Sequence, residues 1–106
     1  MLIIYITCAS FEEAKNIGRE LVEKRLVACV NLLPNMTSFY HWEGKIVEDS
    51  EVVLIAKTTS DKFEEIVSLV KSLHSYEVPC IVAYPIEKGE ENYLAWIKNE
   101  VTQNSC

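Results

Sequence analysis

Arginine is nearly missing from this 106-residue chain. It occurs only at Arg19 and Arg25, and the ten lysines and arginines face sixteen aspartates and glutamates. With a formal charge of −6 there is no basic footprint to neutralise phosphates, which argues against nucleic acid and anionic lipid as partners. Glycine is scarce too. Gly18, Gly44 and Gly89 leave little material for a phosphate cradle, and the P-loop, dinucleotide and calcium-loop signatures are missing, as is a serine nucleophile elbow. No apolar run approaches the ~20 residues of a membrane helix. The N-terminal Met1-Leu2-Ile3-Ile4-Tyr5-Ile6-Thr7-Cys8 has no positive region before it and is too short for a signal peptide. Of the cysteines Cys8, Cys29, Cys80 and Cys106, no two stand at a knuckle spacing such as C-x-x-C. Reduced thiols in a cytoplasmic protein are the expectation.

What is present is apolar: 49% of the residues are hydrophobic. The length fits one domain, residues 1–106, that buries roughly two thirds of its extended surface. Leu2 to Ile6 is a β-branched-rich strand that runs into Ser10-Phe11-Glu12-Glu13, a serine and a glutamate at capping-box spacing. Phe11, Ala14, Ile17, Gly18, Leu21 and Val22 then line one side of an amphipathic helix of about four turns, ending near Lys24-Arg25. Ala28 to Trp42 reads as one long strand, bulged or bent at Pro34. Glu43-Gly44 is a two-residue turn, and the return strand runs from Lys45 to Thr58. Thr59, Ser60 or Asp61 caps a second helix carrying Phe63, Ile66, Val67, Val70 and Leu73. Cys80 to Tyr84 is the last strand, and a third helix spans about Glu90 to Val101. This order is the split βαβ, ferredoxin-like α+β arrangement (βαββαβ plus a C-terminal helix). It predicts a four-stranded antiparallel sheet with the first and third strands central and the crossover helices on one face.

Such a sheet should alternate apolar and polar residues along each strand. Leu2-Ile3-Ile4-Tyr5-Ile6, Val52-Val53-Leu54-Ile55-Ala56 and Ile81-Val82-Ala83-Tyr84 are apolar on both parities instead. The second face therefore needs cover, from other protomers or from the third helix folding back. The hairpin strands exceed the usual length of about five or six residues, so their outer part, with Tyr40, Trp42 and Ile46, projects as an arm for a neighbour or a loop for a ligand.

Topology also sorts the polar candidates. Cys8, His41, Trp42, Lys45, His74, Tyr76 and Cys80 share one edge of the sheet, and Cys29 begins its strand at the opposite edge, so a site at Cys29 needs ligands from elsewhere. Thiolate with imidazole suits copper or zinc, whereas a lone cysteine is commonly a small buried hydrophobe and His74 can serve the C-terminal carbonyls of its helix. Two acidic runs, Glu48-Asp49-Glu51 and Glu87-Glu90-Glu91, read first as solvated faces and secondarily as hard-cation ligands.

Several segments together, in order and spacing, resemble the CutA divalent-cation-tolerance family. They are Arg25-Leu26-Val27-Ala28-Cys29-Val30-Asn31, Tyr40-His41-Trp42-Glu43-Gly44-Lys45-Ile46 with Asp49, Lys57-Thr58, His74-Ser75-Tyr76-Glu77-Val78-Pro79 and Tyr93-Leu94-Ala95-Trp96-Ile97. The resemblance implies a homotrimer like the PII signalling proteins, with the hairpin reaching across to a neighbour, tolerance of copper and other divalent ions, and no enzyme reaction. The family pattern carries over at Cys29, Asn31, Trp42, Gly44, Lys45, Lys57, His74, Tyr76, Pro79 and Trp96. Ser75 stands where many members have proline, and Cys80 is a departure that adds a soft ligand.

The leading expectation is thus a trimeric, cytoplasmic, non-enzymatic binder of copper or another divalent ion, which it does not require for folding. Cys29 and His74 are its metal ligands, Cys80 is a supplementary one, and Trp42, Lys45 and Tyr76 line an intersubunit cleft. Affinity should fall below about pH 6, because thiolate and neutral imidazole are required. The alternative is a PII-like sensor of a small or phosphorylated molecule, with Lys45 and Lys57 as anion contacts and Tyr40 and Trp42 for stacking. An acylphosphatase-like enzyme lacks its anion loop here, and a copper chaperone of this topology lacks its second thiol beside Cys8.

Overall fold

The computed structural model describes residues 1–102; Cys106, which the sequence leaves without a role, lies outside them. The elements are β1 (Leu2–Cys8), α1 (Phe11–Glu23), β2 (Cys29–Trp42), β3 (Lys45–Thr58), α2 (Phe63–Leu73), β4 (Ile81–Pro85) and α3 (Glu91–Thr102). The sheet is antiparallel in the order β2-β3-β1-β4, which puts β1 and β3 in the centre as the ferredoxin-like pattern predicts.

Local chemistry explains most boundaries. Ser10 starts α1, its Oγ accepting from the Glu13 N–H at 3.1 Å. The Glu13 carboxylate does not return to Ser10 but accepts from the Ala9 N–H at 3.0 Å, one residue earlier than a capping box requires. The helix ends in a Schellman motif: the Arg25 N–H donates to the Val22 carbonyl and the Leu26 N–H to that of Leu21, with Arg25 held at φ 54°. Gly18 allows α1 to lie close on β2, since a Cβ there would stand 3.0 Å from Val30 Cγ1. At the hairpin tip Glu43 (φ 51°) and Gly44 (φ 79°) both take the left-handed conformation of a type I′ turn. The expected break at Pro34 is a bulge. Leu33 pairs with Val53 and Met36 with Glu51, so β2 uses one residue more than β3, and Asn35 absorbs the bend at φ 65°.

One expectation is corrected. None of Thr59, Ser60 and Asp61 caps α2 through its side chain; a 3₁₀ turn, Ser60–Lys62, precedes the helix, and the Thr59 hydroxyl donates to Asp61 instead.

The ladder separates the two sheet faces. Ile4, Ile6, Cys8, Leu54 and Ala56 point toward α1 and α2 and are fully buried with Ala14, Ile17, Leu21, Ile66 and Val70. Ile3, Tyr5, Ile55, Leu33, Val82 and Tyr84 occupy the alternate positions, where Leu33 is 53% and Tyr84 57% exposed. α3 covers part of the side that α1 and α2 leave. Its Ile97 and Val101 are fully buried outside the α1–α2 core, and the Arg25 guanidinium ties it down through the Glu100 carbonyl (3.0 Å) and carboxylate (3.1 Å). The outer hairpin projects from this body, and the protein with its hairpin measures 45 Å along the long axis.

Candidate functional site

Pairing register divides the predicted site residues between two ends of the sheet. Cys29 lies opposite Lys57 at the end where β1 begins, and its Sγ sits 3.7 Å from the Tyr93 hydroxyl of α3. Cys8 lies opposite Val52 at the other end, beside the loop that carries His74, Tyr76 and Cys80 into β4. Within one chain the structure therefore does not bring Cys29 to His74 or Cys80, as the topology anticipates.

His74 is the centre of a closed arrangement. The backbone N–H caps α2 on the Val70 carbonyl, but the ring turns away from the helix end and is fully buried. Its Nε2–H donates to the Thr7 carbonyl at 2.7 Å, and its Nδ1 accepts from the Tyr76 N–H at 3.1 Å. These two bonds define a neutral imidazole protonated on Nε2. Glu13 lies alongside, with its Oε2 3.7 Å from Nδ1, and its Oε1 accepts from the Ser75 N–H at 3.0 Å. Burial opposes ionisation of this carboxyl, yet the hydrogen bonds donated by Ser75 and Ala9 outweigh it and hold the pKa below the ordinary value.

Cys8 completes the group: its thiol, one Glu13 carboxylate oxygen and one His74 nitrogen lie within 4.8 Å of one another. A thiol, a carboxylate and an imidazole form a donor set that suits zinc or copper. Burial, with the Glu13 and Glu51 carboxylates, pushes the Cys8 thiol up to about 12. A cation entering here must therefore displace the thiol proton and take the lone pair that Nδ1 lends to the Tyr76 N–H. Sequence reasoning places Cys8 at the correct edge without a role and uses Glu13 only as a cap; the shared edge of Cys8 and His74 is the signal that links them.

Next to this cluster, on the open face, is a groove of about 840 Å³ lined by Tyr5, Met36, Tyr40, Trp42, Glu51 and Tyr76, among others. The Tyr76 hydroxyl donates to Glu51 Oε2 at 2.8 Å, and burial together with that carboxylate raises its pKa. The Tyr40 hydroxyl donates to Asp49. Cys80 also lines the groove, its thiol raised by burial and by Glu51 against a lowering contact with Thr7. Lys45 pairs with Trp42 at the hairpin tip and Lys57 donates to Asn31 at the far end; neither lines the groove. Of the predicted cleft residues, Trp42 and Tyr76 meet there, and Lys45 stands at its outer margin.

The match to known proteins covers nearly the whole chain. The family model described as "CutA1 divalent ion tolerance protein" matches residues 2–100. The divalent-cation tolerance protein CutA of Archaeoglobus fulgidus is 51% identical over 98 residues, 92% of this chain and 95% of the relative. That of Thermus thermophilus is 48% identical over 96 residues, 91% and 93% of the two chains. The solved T. thermophilus divalent cation tolerance protein superposes with a TM-score of 0.91 at 46% identity, over 94% of this chain and 98% of that one. The A. fulgidus structure, described as a periplasmic divalent cation tolerance protein, gives 0.92 at 50% identity, over 95% and 99%. With its family pattern, its sequence and its fold all matched over more than nine tenths of its length, the chain belongs to the CutA divalent-ion-tolerance family.

Proposed function

We propose that this protein serves divalent-cation tolerance as a non-catalytic homotrimer that binds copper or another divalent ion at the Cys8–Glu13–His74 end of the sheet. The observation that carries the reading is the convergence of those three donors within 4.8 Å. The exposed apolar residues of the open face and the projecting hairpin support association. The ion stands as ligand here and competes with the Tyr76 N–H for Nδ1 of His74. Binding releases the Cys8 proton, so affinity rises with pH. A cytoplasmic location keeps Cys8, Cys29 and Cys80 reduced. The test is calorimetric titration of the fully reduced protein with zinc, which avoids thiol oxidation, followed by competition with copper. His74→Ala should weaken binding by about tenfold or more while Cys29→Ala leaves it unchanged. Equal affinity in His74→Ala would refute the assignment, and loss in Cys29→Ala would move the site to the other end.

The groove favours a second reading, a trimer that senses a small organic molecule. Its volume falls in the range of about 300–1,000 Å³ usual for ligand sites, and its walls are aromatic. A response of the intrinsic tryptophan fluorescence to metabolites in the absence of metal would favour this reading over the first.

A further inference from the structure

We infer that the groove on the open sheet face takes an organic cation, a protonated amine or quaternary ammonium carried on an apolar body. This rests on the small-molecule reading of the groove and names the charge of its ligand.

Charge is the first ground. Within one chain the carboxylates lining the groove are Glu51 and Glu77, neither lysine nor arginine is among the lining residues, and the His41 imidazole is the one basic side chain there. Asp49, on the same sheet face, accepts from the Tyr40 hydroxyl. Lys45 and Lys57, the cations that would receive a phosphate, lie outside. A phosphorylated ligand would meet two carboxylates with no lysine or arginine to offset them.

The second ground is Glu51 itself. It is only 8% exposed, and the one hydrogen bond its carboxylate makes among the described residues comes from the Tyr76 hydroxyl. The ion pairs of lysine or arginine among the described residues, Lys24–Glu20 and Arg25–Glu100, do not involve it. A carboxylate removed from water with one neutral donor has acceptor capacity left over, and a buried charge is ordinarily matched by a partner. An ammonium N–H in the groove supplies that partner.

The third ground is the wall. Tyr5, Tyr40, Trp42 and Tyr76 present aromatic rings, and Met36 and Val47 present apolar side chains, around this carboxylate. Aromatic faces attract a cation through their quadrupole, and an apolar stem fills what remains. An inorganic ion would leave most of an 840 Å³ groove unused.

The experiment uses the reduced protein in its native assembly with three probes of one shape: 2-phenylethylamine, 2-phenylethanol and 3-phenylpropionate. Calorimetry gives affinities and tryptophan fluorescence reports the groove. The amine should bind about tenfold or more tightly than the alcohol, as one charge-assisted hydrogen bond implies, and the propionate most weakly. Glu51→Gln keeps an acceptor for Tyr76 and should bring the amine down to the affinity of the alcohol. Trp42→Leu, at a half-exposed hairpin position, should weaken the amine several-fold and serves where Glu51→Gln impairs folding. If the propionate binds as well as the amine, the groove is a ligand site and the inference about charge falls. If amine binding survives both substitutions unchanged, the inference also falls. If none of the three binds, the small-molecule reading falls with it.

Discussion

Leu54 and Ile55 are neighbours in the central strand β3 with nearly the same side-chain volume, yet they occupy two different environments. Leu54 is fully buried under α1 and α2, whereas Ile55 looks out on the face those helices leave uncovered. The helix side is complete within one chain: Ile4, Ile6, Leu54 and Ala56 find Ala14, Ile17, Ile66 and Val70. The open side also carries apolar residues but is covered only in places within one chain, leaving Leu33, Val82 and Tyr84 partly in water. Similar apolar residues on two faces thus build a closed core on one and leave apolar surface exposed on the other.

The contrast can be broken in a definite order. Leu54→Ala should cost about 3 kcal/mol, the transfer plus cavity penalty of a fully buried leucine, in urea denaturation followed by circular dichroism, whatever the protein concentration. Tyr84→Asp on the open face should cost about 2 kcal/mol of association, by burying an unpaired charge. Light scattering should then give a smaller mass with unchanged secondary structure; an unchanged mass would remove this face from the interface. Ser10→Ala should cost about 1 kcal/mol, the value of a helix cap, again independent of concentration in thermal melts.

Glu13→Gln has the smallest effect at neutral pH. Because the folded pKa of Glu13 lies below its ordinary value of 4.5, its contribution is fully present above 4.5 and fades as pH falls through the folded value. Stability curves of wild type and variant should therefore converge in acid and separate toward neutrality. Curves that stay parallel across that range would mean that the bonds to Ala9 and Ser75 contribute nothing through ionisation.

Much of this fold is legible in the sequence because its signals are local. Pro34, the Glu43-Gly44 pair and the apolar runs on both parities each report on their own few residues, and the strand order follows from their succession. The separation of Cys29 from His74 is legible too, since it depends only on which end of a strand each occupies. The His74 arrangement is not legible to the same degree. Its ring bonds Thr7, 67 positions away, and its neighbour Glu13 carries a perfectly good local explanation as a helix-start residue. A side chain with a satisfactory short-range role conceals a long-range one. The absence of lysine from the groove was obscured for a related reason: Lys45 adjoins Trp42 in the ladder, yet adjacency in a ladder does not place a side chain in the hollow.

The bulge at Pro34-Asn35 shifts the count of β2 by one against β3. In a structure of period two, one added residue acts as a parity switch. Upstream, odd-numbered residues such as Asn31 and Leu33 look toward the open side; downstream the even-numbered Met36, Ser38, Tyr40 and Trp42 do so, opposite Glu51, Asp49, Val47 and Lys45. Deleting Asn35 would leave the arm nearly as long but turned over, with Phe39 and His41 exchanged for Tyr40 and Trp42 beside the carboxylates. The chemical character of the groove is in that sense written by a single insertion in the backbone, at a residue that does not itself line the groove.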